Sequence, residues 1–532
     1  MNVVLVVAAI VIFMCVLLNR ISSRLGIPML LAFILLGMTF GSDGLLKIPF
    51  NDYGFAEKAC SAALIFIMFY GGFGTNWNAA KPVAVKSILL SSFGVIFTAF
   101  LTGLFCHFVL KMSWIEGLLV GSLLGSTDAA SVFSILRSKK LNLRYNTASL
   151  LELESGSNDP FSYMLTAIVI AIMNGDANGS ALVYMIFAQL VYGLLAGAAI
   201  AAVSVFILKR TNFPTAGFDT IFVVAIAIIA YAFPAVFGGN GYLSTYIVGI
   251  VLGNSDIKNR KTLVPFFDGI NGLMQMLIFF LLGLLSFPSK LPSVVIPALL
   301  IALFMTFIAR PVVVFLILLP FKSRLMQQIV VSWCGLRGAA SIVFAIIATT
   351  SVKTENDLFH IVFCVVLFSI LIQGSLLPYI SRKLGMIDNN EDVMKTFNDY
   401  SDEEPIQFIQ FSISETHQWC GKMIKDILLP PDTILVLLKR GAEKIVPSGK
   451  TKMLNGDTLI LCAKSSNIVE GVNLSEKHIT RGDKYIGMEL SDICYDKDVL
   501  IIMIKRAGKI IIPQGRTKIK ANDVLVINHS EG

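Results

Sequence analysis

Thirteen predominantly apolar stretches follow one another through the first 381 residues: 1–19, 27–42, 55–74, 83–110, 113–136, 147–175, 181–208, 218–238, 241–256, 263–287, 292–320, 325–350 and 358–381. About 20 apolar residues cross a bilayer as a helix, and inside lipid only helices and closed barrels satisfy every backbone polar group. The predicted class is therefore a polytopic α-helical membrane protein with about 13 transmembrane helices. Composition agrees, at 55% apolar and 15% charged residues with a mean hydropathy of +0.75. The first stretch lacks a basic leader and a small-residue cleavage site, so it reads as a retained span.

The loops orient these spans. One set carries basic clusters such as Arg137, Lys139, Lys140 and Arg144, or Lys258, Arg260 and Lys261; the alternating set carries single lysines at Lys47, Lys111, Lys290 and Lys353. Basic residues accumulate on the cytoplasmic side, which predicts an outside N-terminus and a cytoplasmic C-terminal region. From Asn389 onward 19 Lys and Arg meet 20 Asp and Glu, leaving 24 against 15 for residues 1–388. The basic excess belongs to the membrane part and does not indicate nucleic acid as a partner.

Few ionisable residues lie deep inside the spans: Asp128, Glu152, Glu154, Asp159, Asp268, Arg310 and Arg337. Each costs roughly 2.5–3.5 kcal/mol facing lipid, so each should meet a partner, a cavity or a substrate. No histidine lies mid-span, which leaves carboxylates to carry any proton. Four of the seven acids and bases crowd into two segments, "GSTDAASVF" (125–133) and "LELESGSNDPFS" (151–162). Helical i, i+4 spacing puts Ser155 and Asp159 on one stripe, hard oxygen ligands suited to an alkali cation. The neighbouring stripe holds Glu154 and Asn158, partners for a buried guanidinium such as Arg337. Pro160 deprives the Gly156 carbonyl of its helical donor and invites a kink. Gly125 and the small residues around Asp128, with Gly335 and Gly338 in "SWCGLRGAAS", predict two interrupted helices in corresponding halves, the pattern of a transporter site at mid-membrane. Glu152 suits an entry funnel or a cap as well as an ion contact. Arg310 suits a structural ion pair or carbonyl clamp, and Asp268 a structural charge near a helix end.

"GSTDAASVF", "ESGSNDP", "STYIVGIVLGN", "ARP" and "SWCGLRGAAS" together resemble the monovalent cation:proton antiporter superfamily in its NhaP/NHE branch, above all bacterial potassium/proton antiporters of NhaP type. The resemblance covers the whole membrane region. It implies an inverted-repeat fold with two broken, crossing helices, a dimerisation part and a moving core, hence a homodimer in the bilayer. It implies that Asp159 carries cation and proton in turn, helped by Thr127, Asp128 and Ser155, while Glu154 and Asn158 hold Arg337; Glu152 and Arg310 are secondary candidates. The Asn158–Asp159 pair implies electroneutral exchange. This chain departs from the pattern at "FYGGFG", where Tyr70 stands before Gly71 and Gly72 in place of a frequent acid.

After a linker at 389–405 the pattern changes to short β-type runs and turns. Residues 438–461, "LKRGAEKIVPSGKTKMLNGDTLIL", overlie 504–527, "IKRAGKIIIPQGRTKIKANDVLVI", at an offset of about 66 residues without a gap. A cytoplasmic α+β tail of two modules follows, 406–470 and 471–532, behind a membrane domain of 1–388. "PSGKT" has Lys444 where a phosphate-binding GxxxxGK[ST] loop needs glycine, and "PQGRT" recurs in the second copy, so it reads as a turn of the repeat. The modules resemble the C-terminal part of RCK (TrkA-C) regulators, which implies pairing and a possible small regulator such as cyclic di-AMP.

Eight scattered cysteines form neither a disulfide framework nor a metal site, and no resident cofactor is called for. The expected function is electroneutral exchange of a monovalent cation, potassium in preference, for a proton by alternating access, regulated by the tail. Sodium/proton exchange and an RCK-regulated channel are the alternatives; a channel would need a filter such as TVGYG, and an enzyme would need a nucleophile or metal motif, neither of which the sequence has.

Overall fold

The computed structural model describes residues 2–25, 29–139, 141–175, 179–211, 217–257, 260–388, 406–430, 433–441, 443–445, 447–464, 473–480, 483, 485–492, 499–506, 509–511, 513 and 515–529. The 389–405 linker and Lys140 and Lys258 of the basic loops lie outside the described residues. The chain forms two compact units, residues 1–401 and 402–532.

The first unit is helical: α1 Asn2–Leu25, α2 Met29–Phe40, α3 Tyr53–Gly74, α4 Trp77–Ala80, α5 Ala84–Ser91, α6 Phe93–Phe108, α7 Trp114–Leu123, α8 Ala129–Ser138, α9 Thr147–Asn174, α10 Gly179–Arg210, α11 Phe218–Val236, α12 Gly241–Gly253, α13 Arg260–Leu285, α14 Leu291–Phe304, α15 Arg310–Leu318, α16 Leu325–Trp333, α17 Ala339–Ser351, α18 Leu358–Phe368 and α19 Ser375–Lys383. Among the described residues seven helical stretches are individually long and apolar enough to cross a membrane. Shorter apolar helices, including α2, α7, α12 and α17, pack between them. Two π-helical segments, Met305–Ala309 and Ser369–Gly374, join α14 to α15 and α18 to α19.

With lipid as apolar as the helices, association rests on close backbone approach and internal polar contacts. The α3–α12 seam shows this. A Cβ on Gly72 would collide with the Tyr246 carbonyl, and one on Gly249 with the Phe69 carbonyl. Gly72, Gly249 and Gly253, whose Cβ would meet the Phe73 carbonyl, are therefore packing residues that let two backbones touch.

Two helices are broken. Leu124–Asp128 separates α7 from α8, and Cys334–Gly338 separates α16 from α17. The breaks are knitted to each other: Asp128 N–H donates to the Leu336 carbonyl (2.7 Å), and Arg337 Nη1 donates to the Ser126 carbonyl (2.7 Å). A side chain at Gly338 would fall on the Asp128 carboxylate. Between them runs α9, which continues as a helix through Pro160. Asn240 Nδ2 donates to the Pro160 carbonyl (2.8 Å), a polar contact from the start of α12 beside the proline.

The second unit holds two four-stranded antiparallel sheets built alike. Strands β1 Asn142–Leu143 and β2 Ile387–Asp388 pair within the first unit. In the tail come β3 Ile406–Ser412, β4 Thr433–Arg440, β5 Glu443–Ile445, β6 Thr458–Lys464, β7 Asn473–His478, β8 Val499–Arg506, β9 Lys509–Ile511 and β10 Val524–His529, ordered β3-β6-β4-β5 and β7-β10-β8-β9. Each sheet is locked at one point. Arg440 grips buried Asp457 through Nε and Nη2 (both 2.8 Å), and Arg506 grips buried Asp523 the same way (both 2.7 Å). The "PSGKT" stretch is a turn, with Thr451 N–H donating to the Ser448 carbonyl.

Candidate functional site

The crossing of the two breaks forms part of the wall of a cavity of about 390 Å³, lined by residues of α3, α8, α9, α13 and α17 and by the breaks themselves. The periodicity of α9 decides which of its polar residues reach that space. Glu152, Ser155, Gly156 and Asp159 line it, whereas Glu154 and Asn158, one position round the helix from Ser155 and Asp159, are buried behind it at 1% and 0% exposure.

Each site residue of the sequence analysis has a definite place. Asp159 is 7% exposed on the cavity wall and accepts a hydrogen bond from Ser126 Oγ. Ser155 Oγ donates to the Thr127 carbonyl and accepts from Ala129 N–H (both 2.8 Å), fastening α9 to the first break. Thr127 Oγ1 accepts from Asn158 Nδ2 at 2.5 Å. Asp128 caps α8: its carboxylate accepts from Ser131 N–H (3.3 Å) and Ser131 Oγ (2.5 Å). Asp128, Thr127, Ser155 and Ser126 all line the cavity with Asp159, so five oxygen-bearing side chains converge there.

The guanidinium partner differs from expectation. Glu154 pairs with Arg310, both almost fully buried, and not with Arg337. Arg337 lies in the second break, where its Nη1 reaches the Ser126 carbonyl and its N–H donates to Ser369 Oγ (3.0 Å). Asn158 likewise serves Thr127 instead of an arginine. The reason is positional: α15 places Arg310 behind α9, on the side of Glu154, while the crossing turns Arg337 toward the first break. Neither arginine lines the main cavity; both border a smaller one of about 10 Å³ together with Gly335, Ser369 and Gln373.

Residues outside the expected set also line the main cavity, among them Tyr70, Asp268, Asn271, Gln275 and Ser126. Asp268, read from sequence as a structural charge at a helix end, accepts a 2.5 Å hydrogen bond from the Tyr70 hydroxyl. Asn271 and Gln275 continue its row on α13. The signal was present in "DGINGLMQ", three polar side chains at i, i+3 and i+7 in an otherwise apolar helix. Ser126 had the weaker signal of an ordinary small residue in a break.

A broken-helix crossing with a carboxylate on the wall of a cavity defines a secondary transporter, and the comparisons specify it. Residues 9–383 match the sodium/hydrogen exchanger transmembrane family, and the chain belongs to that family, which exchanges ions and is not an enzyme class. Residues 408–470 and 476–528 each match the TrkA-C domain. Similar proteins include the K(+)/H(+) antiporter NhaP2 of Shewanella baltica, 33% identical over 93% of this chain and 90% of its own length. The K(+)/H(+) antiporter NhaP of Alkalimonas amylolytica is 32% identical over 87% of this chain and 81% of its own. Among solved structures the sodium proton antiporter MjNhaP1 of Methanocaldococcus jannaschii shares the fold, with a TM-score of 0.64 and 23% identity over 72% of this chain and 99% of that one.

Proposed function

We propose that this chain is an electroneutral potassium/proton antiporter working by alternating access, with Asp159 as its single carrier group. The observation that carries the reading is Asp159 on the cavity wall, held by one serine hydroxyl and free of any arginine lock among the described residues. A carboxylate so placed accepts a proton or coordinates a cation, and the two compete for the same oxygens. Asn158 beside it is neutral, and the Glu154 charge is balanced by Arg310. One carrier exchanging one cation for one proton moves no net charge. The names of the similar antiporters favour potassium over sodium.

Thr127, Asp128 and Ser155 brace the carrier and supply oxygens as the ion arrives; Glu154, Asn158, Arg310 and Arg337 hold the crossing rigid behind it. The wider architecture in this reading is thirteen spans in inverted repeats, with the 1–388 membrane domain, the 389–405 linker and modules at 406–470 and 471–532. It assembles as a homodimer in the bacterial inner membrane, N-terminus outside and tail in the cytoplasm. The tail regulates transport by pairing of its modules; a ligand such as cyclic di-AMP rests on the tail's resemblance alone.

The test is cation-driven proton movement in proteoliposomes across lithium, sodium, potassium and rubidium, with and without a voltage clamp. Saturable, voltage-independent exchange that prefers potassium and disappears in Asp159→Asn is expected. Exchange persisting in that variant removes Asp159 as carrier, a sodium preference removes the potassium assignment, and an uncoupled voltage-driven current identifies a channel.

A further inference from the structure

The Tyr70–Asp268 pair is not needed to hold the carrier, yet it lies on the same cavity. Tyr70 belongs to α3 and Asp268 to α13, 198 residues apart, and the phenol donates to Asp268 Oδ1 at 2.5 Å. Asp268 remains exposed to the cavity, which in this stretch of α13 is otherwise walled by Asn271 and Gln275; Gln275 Nε2 donates to Asn271 Oδ1 at 3.5 Å. Glu152 lines the same space from α9, about two turns before Asp159. Both α9 and α13 follow basic loops, at 137–144 and 258–261, so their first turns lie at the same, cytoplasmic, end under the proposed topology.

We propose that Asp268, oriented by Tyr70, is a cation-recruiting station at the cytoplasmic mouth, where a partly hydrated monovalent cation is first held by the carboxylate and the α13 amides before it reaches Asp159. The inference rests on Asp159 being the carrier. The phenol fixes the carboxylate's rotamer while leaving its formal charge in place. A fixed charge at the mouth of a low-dielectric cavity raises the local concentration of counter-ions. At contact distance in a wet cavity this amounts to about three- to tenfold in occupancy, screened over roughly 8 Å at physiological salt. Such a station sets how readily the ion is captured and leaves the one-for-one stoichiometry alone, since the ion passes on before the cavity turns over.

The experiment is the proteoliposome assay on the full chain with potassium varied from the Asp268 side, extracting apparent KM and Vmax at low and high ionic strength held with choline chloride. Asp268→Asn is expected to raise KM about three- to tenfold with Vmax within about twofold, and to flatten the salt dependence of KM. Asp268→Glu restores most of the affinity, and Tyr70→Phe, which keeps the charge but frees the rotamer, raises KM about twofold by halving the oriented population. An unchanged KM in Asp268→Asn overturns the proposal, as does a fall in Vmax at constant KM, the signature of a merely structural contact. If Asp268→Asn is not recovered folded, an unchanged KM in Tyr70→Phe overturns it. Asp159→Asn run alongside separates the two readings: exchange in that variant refutes the carrier assignment, whereas a dead Asp159→Asn with a normal KM in Asp268→Asn refutes only the recruiting station.

Discussion

Buried carboxylates in the two units are held in opposite ways. In the tail, Asp457 receives Arg440 through two hydrogen bonds and Leu454 N–H through a third, and Asp523 receives Arg506 and Lys520 N–H in the same pattern. At the membrane crossing, Asp159 receives one serine hydroxyl and looks into a cavity. A carboxylate saturated by a bidentate guanidinium has no oxygen left to exchange, and its role is to fasten a sheet. A sparsely bonded one in a polar cavity costs stability, and what it gains is the freedom to trade a proton for a cation. Glu154 stands between the two: Arg310 Nη2 pairs with its Oε1, although it is only five residues from Asp159, while its Oε2 has no hydrogen-bond partner among the described residues.

The comparison breaks most sharply at Asp159. Asn there is expected to abolish exchange, by more than about 100-fold, while leaving elution and thermal stability in detergent unchanged or improved, because the removed charge had no ion-pair partner to orphan. Next is the Glu154–Arg310 lock. Arg310→Ala leaves a buried carboxylate alone and is expected to cost about 3–5 kcal/mol, seen as lost folded yield, with the Glu154→Gln and Arg310→Gln double variant recovering much of it. A double variant as unstable as the single would show that Arg310 works by packing and not through the pair.

The tail locks should yield smaller, matched effects. Arg440→Ala or Arg506→Ala is expected to weaken its own sheet, read as faster hydrogen exchange in β4 and β6 or in β8 and β10, with exchange of ions by the membrane unit retained. Unequal losses would mean that the two copies have diverged in what they carry. The smallest effect is in pH. Arg440 holds the Asp457 carboxyl below its ordinary range. At Asp523, burial pushes upward, but Arg506 and Lys520 N–H outweigh it and the carboxyl is also held low. A depressed folded-state value adds stability above the unfolded value, about 3.9, and loses it as pH falls below that toward the folded value. Melting of the tail sheets should therefore be flat near neutrality and fall below about pH 4, with the fall blunted in Asp457→Asn.

Much of this was legible in the sequence because it depends on short-range order. Helical stretches, the two breaks, the split of α9 into a Ser155–Asp159 stripe and a Glu154–Asn158 stripe, and the repeat that pairs Arg440 with Arg506 and Asp457 with Asp523 all follow from spacing along one chain. Spacing along one helix says which residues share a face and nothing about which other helix meets it. Glu154 asked for an arginine, and two were on offer; the packing of α15 behind α9 supplied Arg310, while the crossing of the two breaks turned Arg337 to the Ser126 carbonyl. Tyr70 and Asp268 each read as a departure or a structural charge until α3 and α13 brought them within hydrogen-bonding distance. What the sequence determined alone is a membrane chain with one cation-competent stripe and a duplicated tail; which charges are locked and which stay free was decided by tertiary contacts, because a buried charge takes the partner that packing places beside it.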